Sequence, residues 1–312
     1  MTSESPSSRM EIRFGIEGDS PKLPGSIVCV GTFDGVHLGH QAVIRQCVKA
    51  AREAGLPAVL VTFDRHPAAT LAPDRVPYSI GTLALNIERI AGLGIDLAVL
   101  LPFTRAFSQW SATEFFEEVL VDSLNSRTVV IGTDFGFGRG REGNATFLQE
   151  RIDTHVVEPV SSNGERISSS RIRRLLAGGA VAEAATLLGR PFEYVGVAVK
   201  GAGMGARLGF PTANLAPLDR QALPPDGVYA GTCLTPKGEF RAAISIGSRP
   251  TVGGTEPATE AFLLDYPGGD LYGAVLRLRF DARLRDQCKF SSLEELIEQM
   301  RADVERITSG EF

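Results

Sequence analysis

The feature that most constrains the fold is a change of period part-way along the chain. Up to about residue 188, short apolar runs alternate with amphipathic stretches; beyond Arg190, strand-like runs follow one another with only glycine and proline turns between them. The first part opens with SIVCVG (26–31), an apolar run rich in β-branched residues and ended by glycine, which reads as a buried strand. GHQAVIRQCVKAAREAG (39–55) then carries Val43, Cys47 and Ala51 on one face, with Ile44 and Val48 beside them, and stops at Gly55 and Pro57. AVLVTF (58–63) follows as a second buried strand. Strand, helix and strand with continuous apolar strands imply a parallel sheet with a right-handed crossover. LAVLL (97–101) and TVVIG (128–132) alternate with helical stretches over 83–91 and 112–121, so the sheet is expected to have at least four strands.

The second part reads differently. Runs over 193–200, 227–234, 240–246, 258–265 and 274–281 are uninterrupted by any helical pattern, and an antiparallel barrel is the economical way to pair them. The chain ends in SSLEELIEQMRADVERI (291–307), where Ser292 and Glu295 suggest a capping box and Leu293, Leu296, Ile297, Met300 and Val304 form an apolar stripe. That helix is expected to pack on the barrel. The expected organisation is therefore α/β: a Rossmann-like parallel-sheet domain over residues 10–188 and a β-barrel domain with a terminal helix over 189–312. A length of 312 residues suits two domains better than one core.

The formal net charge of −5 disfavours a protein that coats nucleic acid or an anionic membrane, so any bound anion must be held by locally placed donors. Cys29, Cys47, Cys233 and Cys288 lie far apart with no Cys-x-x-Cys pair, which fits buried thiols in a reducing compartment. The polar start MTSESPSSRMEIRFG has no apolar targeting region, and no run of about 18 apolar residues occurs. A cytoplasmic protein with a frayed start is expected.

Two of the four histidines, His37 and His40, sit in VGTFDGVHLGH (30–40), between the first strand and the first helix. Ligands of open parallel sheets bind at that edge. Glycines at 31, 35 and 39 let the backbone approach closely, and the helix N-terminus offers free N–H groups, so phosphate is the favoured guest. Imidazoles one turn apart can stabilise the charge that develops when a phosphate ester breaks. Two other readings stay open: a metal-binding pair, with Asp34 as the only nearby carboxylate, and ordinary structural histidines. Neither a P-loop nor a Gly-x-Gly-x-x-Gly fingerprint follows the first strand.

ISSSRIRRLL (167–176) places Ser168, Ser169 and Ser170 at a helix start with Arg173 one turn in, a set suited to phosphate or to a plain N-cap with a basic face. GTDFGFGRGREGN (132–144) follows another strand end on the same sheet edge and reads as a flexible loop or a wall against a nucleotide. In the second part, KGAGMGARLGFPTANL (200–215) is a glycine-rich turn, common in barrels and able to cradle phosphates. In it Pro211 fixes the backbone, while Thr212 and Asn214 share one face if extended and present oxygens that suit magnesium on a nucleotide. Glu260, in ATEAFLLD, is either an exposed strand residue or a general base aimed into a cavity.

In that order and spacing, GTFDGVHLGH, TFDRHP, GTDFGFGRG and ISSSRIR resemble the FMN adenylyltransferase module of bacterial bifunctional riboflavin kinase/FAD synthetases. The second part resembles the riboflavin kinase module of the same family through GFPTANL, GVYAG, IGSRPTVGG, ATEAFLLD, DLYG and LRDQCKFSSLEEL. The resemblance implies ATP-dependent conversion of riboflavin to FMN and of FMN to FAD, with Mg2+. It implies that His37 and His40 stabilise ATP phosphates, aided by the loop around Gly31, Phe33 and Gly39. Ser168, Ser169, Ser170 and Arg173 would contact the triphosphate, and Asp134 would lie near the adenosine. In the kinase module it implies Gly201, Gly205 and Pro211 at the ATP, Thr212 and Asn214 as magnesium and phosphate ligands, and Glu260 as the base. Departures from the family pattern are Arg65 for proline, Gly136 for arginine, Asn144 for aspartate, Lys200 for histidine, Ala206 for arginine with Arg207 shifted by one, Ser245 for asparagine and Gln287 for glutamate. The competing readings are a kinase with a weakened adenylyltransferase and a flavin-binding regulator without turnover.

Overall fold

The computed structural model describes residues 10–16, 23–201, 210–248 and 257–312. The chain divides into two compact units, one from residues up to 77 with 83–168, the other from 78–82 with 169–312.

The first unit is built on a six-stranded sheet of β1 (Glu11–Phe14), β2 (Ser26–Val30), β3 (Ala58–Phe63), β4 (Leu97–Leu101), β5 (Ser126–Gly132) and β6 (Asp153–Val157). The order is β1-β4-β3-β2-β5-β6, parallel throughout. The two edge strands, β1 and β6, add to the four read from the sequence, so residues 11–14 are paired to β4 rather than frayed. Helices are α1 (Leu38–Ala54), α2 (Ala68–Leu71), α3 (Leu83–Ala91), α4 (Ala112–Glu114) and α5 (Ala145–Gln149), with α4 running on as a π-helix, Phe115–Ser123. Successive residues of β2 feed opposite faces: Ile27 and Cys29 pack with α1 and α3, Val28 and Val30 with the π-helix. Burial on both faces explains the unbroken apolar runs. On α1 the buried stripe is Ile44, Cys47, Ala50 and Ala51; Val43 and Val48 lie at its margin, and Gly55 closes the helix at φ +64°. A two-stranded hairpin, β7 (Ser161–Ser162) and β8 (Glu165–Arg166), leads to the serine run.

The second unit opens with α6 (Ser169–Ala177) and α7 (Val181–Leu188) and then forms a closed barrel from β9 (Phe192–Val199), β10 (Thr212–Pro217), β11 (Gly227–Thr235), β12 (Gly238–Ser248), β13 (Pro257–Leu263) and β14 (Val275–Arg285). The barrel order is β10-β13-β12-β11-β14-β9, each pair antiparallel. Alternation fills it: Leu276, Leu278 and Phe280 of β14 are fully buried and pair across to Gly196, Tyr194 and Phe192 of β9. At Gly231 a Cβ would collide with the Arg279 carbonyl, so the close approach of β11 and β14 requires glycine. The terminal helix α8 (Leu293–Ser309) is seated on the barrel by Arg285, whose guanidinium grips the buried Asp303 carboxylate at 2.8 Å, and by Arg241, which donates to the carbonyls of Ile307 and Thr308. The cap of α8 differs by one residue from the expected box. Ser292 Oγ accepts from Glu295 N–H at 3.2 Å, but the Glu295 carboxylate returns to the N–H and hydroxyl of Ser291.

Candidate active sites

In the first unit, the loop from β2 to α1 turns through left-handed backbone at Phe33 (φ +46°), Gly35 (φ +78°) and Val36 (φ +43°) before His37 returns to an extended conformation as the N-cap of α1. His37 Nδ1 accepts the His40 N–H at 3.2 Å, which puts the neutral ring's proton on Nε2. The imidazoles of His37 and His40 stack with centroids 3.6 Å apart, and the Phe33 ring meets His40 edge-on at 5.4 Å. The spacing of three residues thus yields one paired imidazole surface, with the cap a feature that spacing alone does not show. Gly31 lies under the Phe33 ring, where a Cβ would sit 3.1 Å from it. A Cβ at Gly39 would lie 3.1 Å from the His37 ring and 3.6 Å from the Ile167 carbonyl, so the residue before Ser168 is brought against the histidine turn.

Asp134 leaves β5 and forms an ion pair with Arg166 at 2.6 Å, while its carbonyl accepts from Arg141 at 2.7 Å. Partial burial pushes the Asp134 carboxyl up, but the hydrogen bond and charge of Arg166 outweigh it and hold the group below its ordinary range. The loop is thereby tied to the segment that delivers Ser168. Arg166 carried no motif and was not singled out in the sequence. Ser169 and Ser170 open the first turn of α6 and Arg173 follows one turn on, within the second compact unit, where Arg173 Nε donates to the Tyr78 carbonyl at 2.7 Å. Among the described residues no group of three or more histidines, cysteines or carboxylates is placed to hold a metal ion.

In the second unit, Thr212 and Asn214 do share a face. The segment, which the sequence left open, is extended as β10 and paired on both sides, with Pro211 just before it. Glu260 points to the outside of the barrel, since its neighbours Thr259 and Ala261 face the interior. Asn214 stands opposite Glu260 on β13, and Ser245 of β12 opposite Glu260 on its other side, forming one polar row across three strands. Thr212 Oγ1 donates to Glu260 Oε2 at 3.1 Å, diagonally across the pair. Gln287, beyond β14, donates to Ser245 Oγ at 2.9 Å and to the Ile246 carbonyl at 3.1 Å, extending the row. Gly201 stands over Asn214, because a Cβ there would strike the Asn214 amide. Gly205, Ala206 and Arg207 lie outside the described residues.

Comparison with known proteins adds to this geometry. Residues 19–171 match the FAD synthetase family and residues 188–309 the riboflavin kinase family. The bifunctional riboflavin kinase/FMN adenylyltransferase of Escherichia coli (strain K12) is 36% identical over 295 residues, spanning 92% of this chain and 93% of the relative. The chain belongs to the bifunctional riboflavin kinase/FMN adenylyltransferase family. Family members from Pseudomonas fluorescens (35% identity; 95% of this chain, 96% of the relative) and Bacillus subtilis strain 168 (33%; 89% and 90%) match over similar spans. A crystal structure described as a macrolide-efflux protein from Streptococcus pneumoniae has a TM-score of 0.87 at 33% identity, covering 96% of this chain and 99% of that one. Among the described residues no helix is long and apolar enough to cross a membrane.

Proposed function

We propose that His37, His40 and the serine run serve adenylyl transfer in the first domain, and that Glu260, Thr212 and Asn214 serve phosphoryl transfer in the second. The chain is a bifunctional enzyme that phosphorylates riboflavin to FMN and adenylylates FMN to FAD, with ATP as co-substrate in both reactions. The residue-level reading places the functional boundary near 188, with the adenylyltransferase over 10–188 and the kinase over 189–312. The thiols are free, buried at Cys29, Cys47 and Cys233 but exposed at Cys288, where burial was expected, and they support a reducing, cytoplasmic setting.

The observation that carries the kinase assignment is the hydrogen bond from Thr212 to Glu260 beside Asn214. It fixes one carboxylate oxygen against β10, so the carboxylate has a defined direction from which to take the proton of the ribityl 5′-hydroxyl. The oxygen so freed attacks the γ-phosphorus of ATP, and the bond to ADP breaks. Thr212 and Asn214 are the residues that would hold magnesium through hard oxygen donors, and when bound the ion would supply charge neutralisation on the phosphates. In the first domain, an FMN phosphate oxygen attacks the α-phosphorus of a second ATP, and pyrophosphate leaves with the electron pair. In this reading His37 with the stacked His40, the hydroxyls of Ser168, Ser169 and Ser170 and the guanidinium of Arg173 offset the charge that builds on the phosphates. Gly31, Phe33 and Gly39 shape the turn, and Asp134 anchors the loop assigned to the adenosine.

Reciprocal variants test the assignment. His37→Ala with His40→Ala is expected to abolish FAD formation from supplied FMN and spare riboflavin phosphorylation, and Glu260→Ala is expected to do the reverse, each followed by chromatographic separation of the flavins. Either variant acting on both reactions equally, or on neither, would sink the separate-site assignment.

A further inference from the structure

The turn that delivers His37 is strained, and its support lies outside the histidine motif. Phe33 and Val36 hold left-handed backbone, which is costly for any side chain and most of all for a β-branched one. Both side chains are driven into the core, at 2% and 1% exposure, so burial holds the two ends of the turn. Between them the Gly35 N–H is met by Oδ1 of Asn86 at 3.2 Å. Asn86 belongs to α3, and with 8% exposure it is buried beside Ile87 and Ile90, which pack into the core on that side of the helix. An amide is costly to bury there unless its hydrogen bonds are made. On the opposite side of the turn, Gln41 Nε2 donates to the Val36 carbonyl at 3.0 Å. His37 is the next residue, and its ring both caps α1 and stacks on His40. Movement of Gly35 is therefore passed directly to both imidazoles.

We infer that Asn86 is a positioning residue for adenylylation: its side-chain oxygen holds the Gly35 amide and, through that turn, sets the register of His37 and His40. The inference rests on the assignment of the two histidines to the ATP phosphates. Because the imidazoles act on charge that develops in the transition state, loss of register falls on kcat more than on KM.

Asn86→Ala is expected to lower kcat for FAD formation at least about tenfold while KM for ATP moves less than about threefold, as for a group displaced by a fraction of an ångström. Riboflavin phosphorylation by the same preparation should stay at the wild-type rate, and an unchanged urea melt followed at Trp110, which lies in the same unit as Asn86, controls for folding. Asn86→Asp retains the acceptor oxygen and is expected to recover most of kcat. Should Asn86→Ala fail to fold, Asn86→Ser, whose hydroxyl is too short to span the gap, carries the same expectation. Wild-type kcat in the shortened variant, or Asn86→Asp no better than Asn86→Ala, overturns the inference. His37→Ala with His40→Ala is assayed alongside: normal FAD formation there defeats the site assignment itself, whereas a dead double variant beside a normal Asn86→Ala defeats only the role of Asn86.

Discussion

Replacing Gly201 by alanine puts the geometry of the kinase row to a quantitative test. A Cβ at 201 would collide with Asn214 Nδ2 and lie 2.5 Å from its Cγ and 2.7 Å from its Oδ1, against about 3.4 Å for ordinary contact, so something must yield by about 1 Å. Gly201 is not in the left-handed region, so its own backbone accepts alanine. The barrel is paired on both sides of β10 and cannot easily yield, which leaves the Asn214 amide. A displacement near 1 Å of a group that orients phosphate or its cation costs on the order of 100-fold in rate. Gly201→Ala should therefore lower riboflavin phosphorylation about 100-fold, most of it in kcat, while FAD formation from supplied FMN stays unchanged. Overpacking costs about 1–3 kcal/mol when nothing relaxes, so a small drop in Tm is compatible with the argument. Initial rates of FMN formation under saturating ATP and magnesium are the assay. Normal phosphorylation in a folded variant would refute both the collision and the placement of Asn214 in the site.

Gly39→Ala separates stability from activity in the other domain. Alanine favours the first turn of α1 by up to about 1 kcal/mol, yet its Cβ would press the His37 ring from 3.1 Å, so an unchanged or higher Tm with several-fold slower FAD formation is expected. Full activity would show that His37 tolerates displacement. Asp96 tests the pH dependence of the first unit. Burial raises its carboxyl pKa, but the hydrogen bonds from Arg52 at 2.6 Å and from the Ala58 N–H outweigh this and hold it below the ordinary range. A depressed carboxylate stabilises above its unfolded pKa and loses that contribution as pH falls through the folded value. Asp96→Asn should cost about 1 kcal/mol near neutrality, reduced by solvent screening at the half-exposed Arg52, with the difference from wild type closing below about pH 4. Urea melts followed by Trp110, the only tryptophan and part of this unit, measure it; a difference that persists in acid contradicts the sign.

What could be read from the sequence was what burial imposes on period. Strands β2 to β5 are buried and stand out as apolar runs, whereas the edge strands β1 and β6, EIRF and DTHVV, bury little and look like loop. Strand β10 hid for another reason, since TANLAP contains a proline and reads as turn until its partners β9 and β13 are known. The π-helical continuation of α4 has no periodic signature of its own. His37 and His40 were legible because histidine is scarce in this chain and both stand between glycines. Asn86 and Arg166 were not, because each acts through a partner 51 or 32 residues away, and a single polar residue in a helix or hairpin carries no motif.

The departures from the family pattern acquire a physical reading once their neighbours are known. Ser245 and Gln287, which replace the frequent asparagine and glutamate, are hydrogen-bonded to each other at 2.9 Å, so the row beside Glu260 is closed by an amide donor and a hydroxyl acceptor. At Gly136 a Cβ would lie 3.0 Å from the Arg141 guanidinium, and Arg141 itself reaches the Asp134 carbonyl, so an arginine still serves this loop from five residues further on. Asn144 caps α5 by accepting from the Phe147 N–H at 3.0 Å, work that asparagine and aspartate do about equally well. Arg65 is paired with Asp64, whose other oxygen accepts from the Phe103 N–H, so its charge is answered locally. Each of these changes is thus met by a bond within its own neighbourhood, and none replaces a group assigned to the phosphates or to the proton. A chain that had drifted towards binding alone would be free to lose Glu260 and the histidine pair first, and those are the groups it has kept.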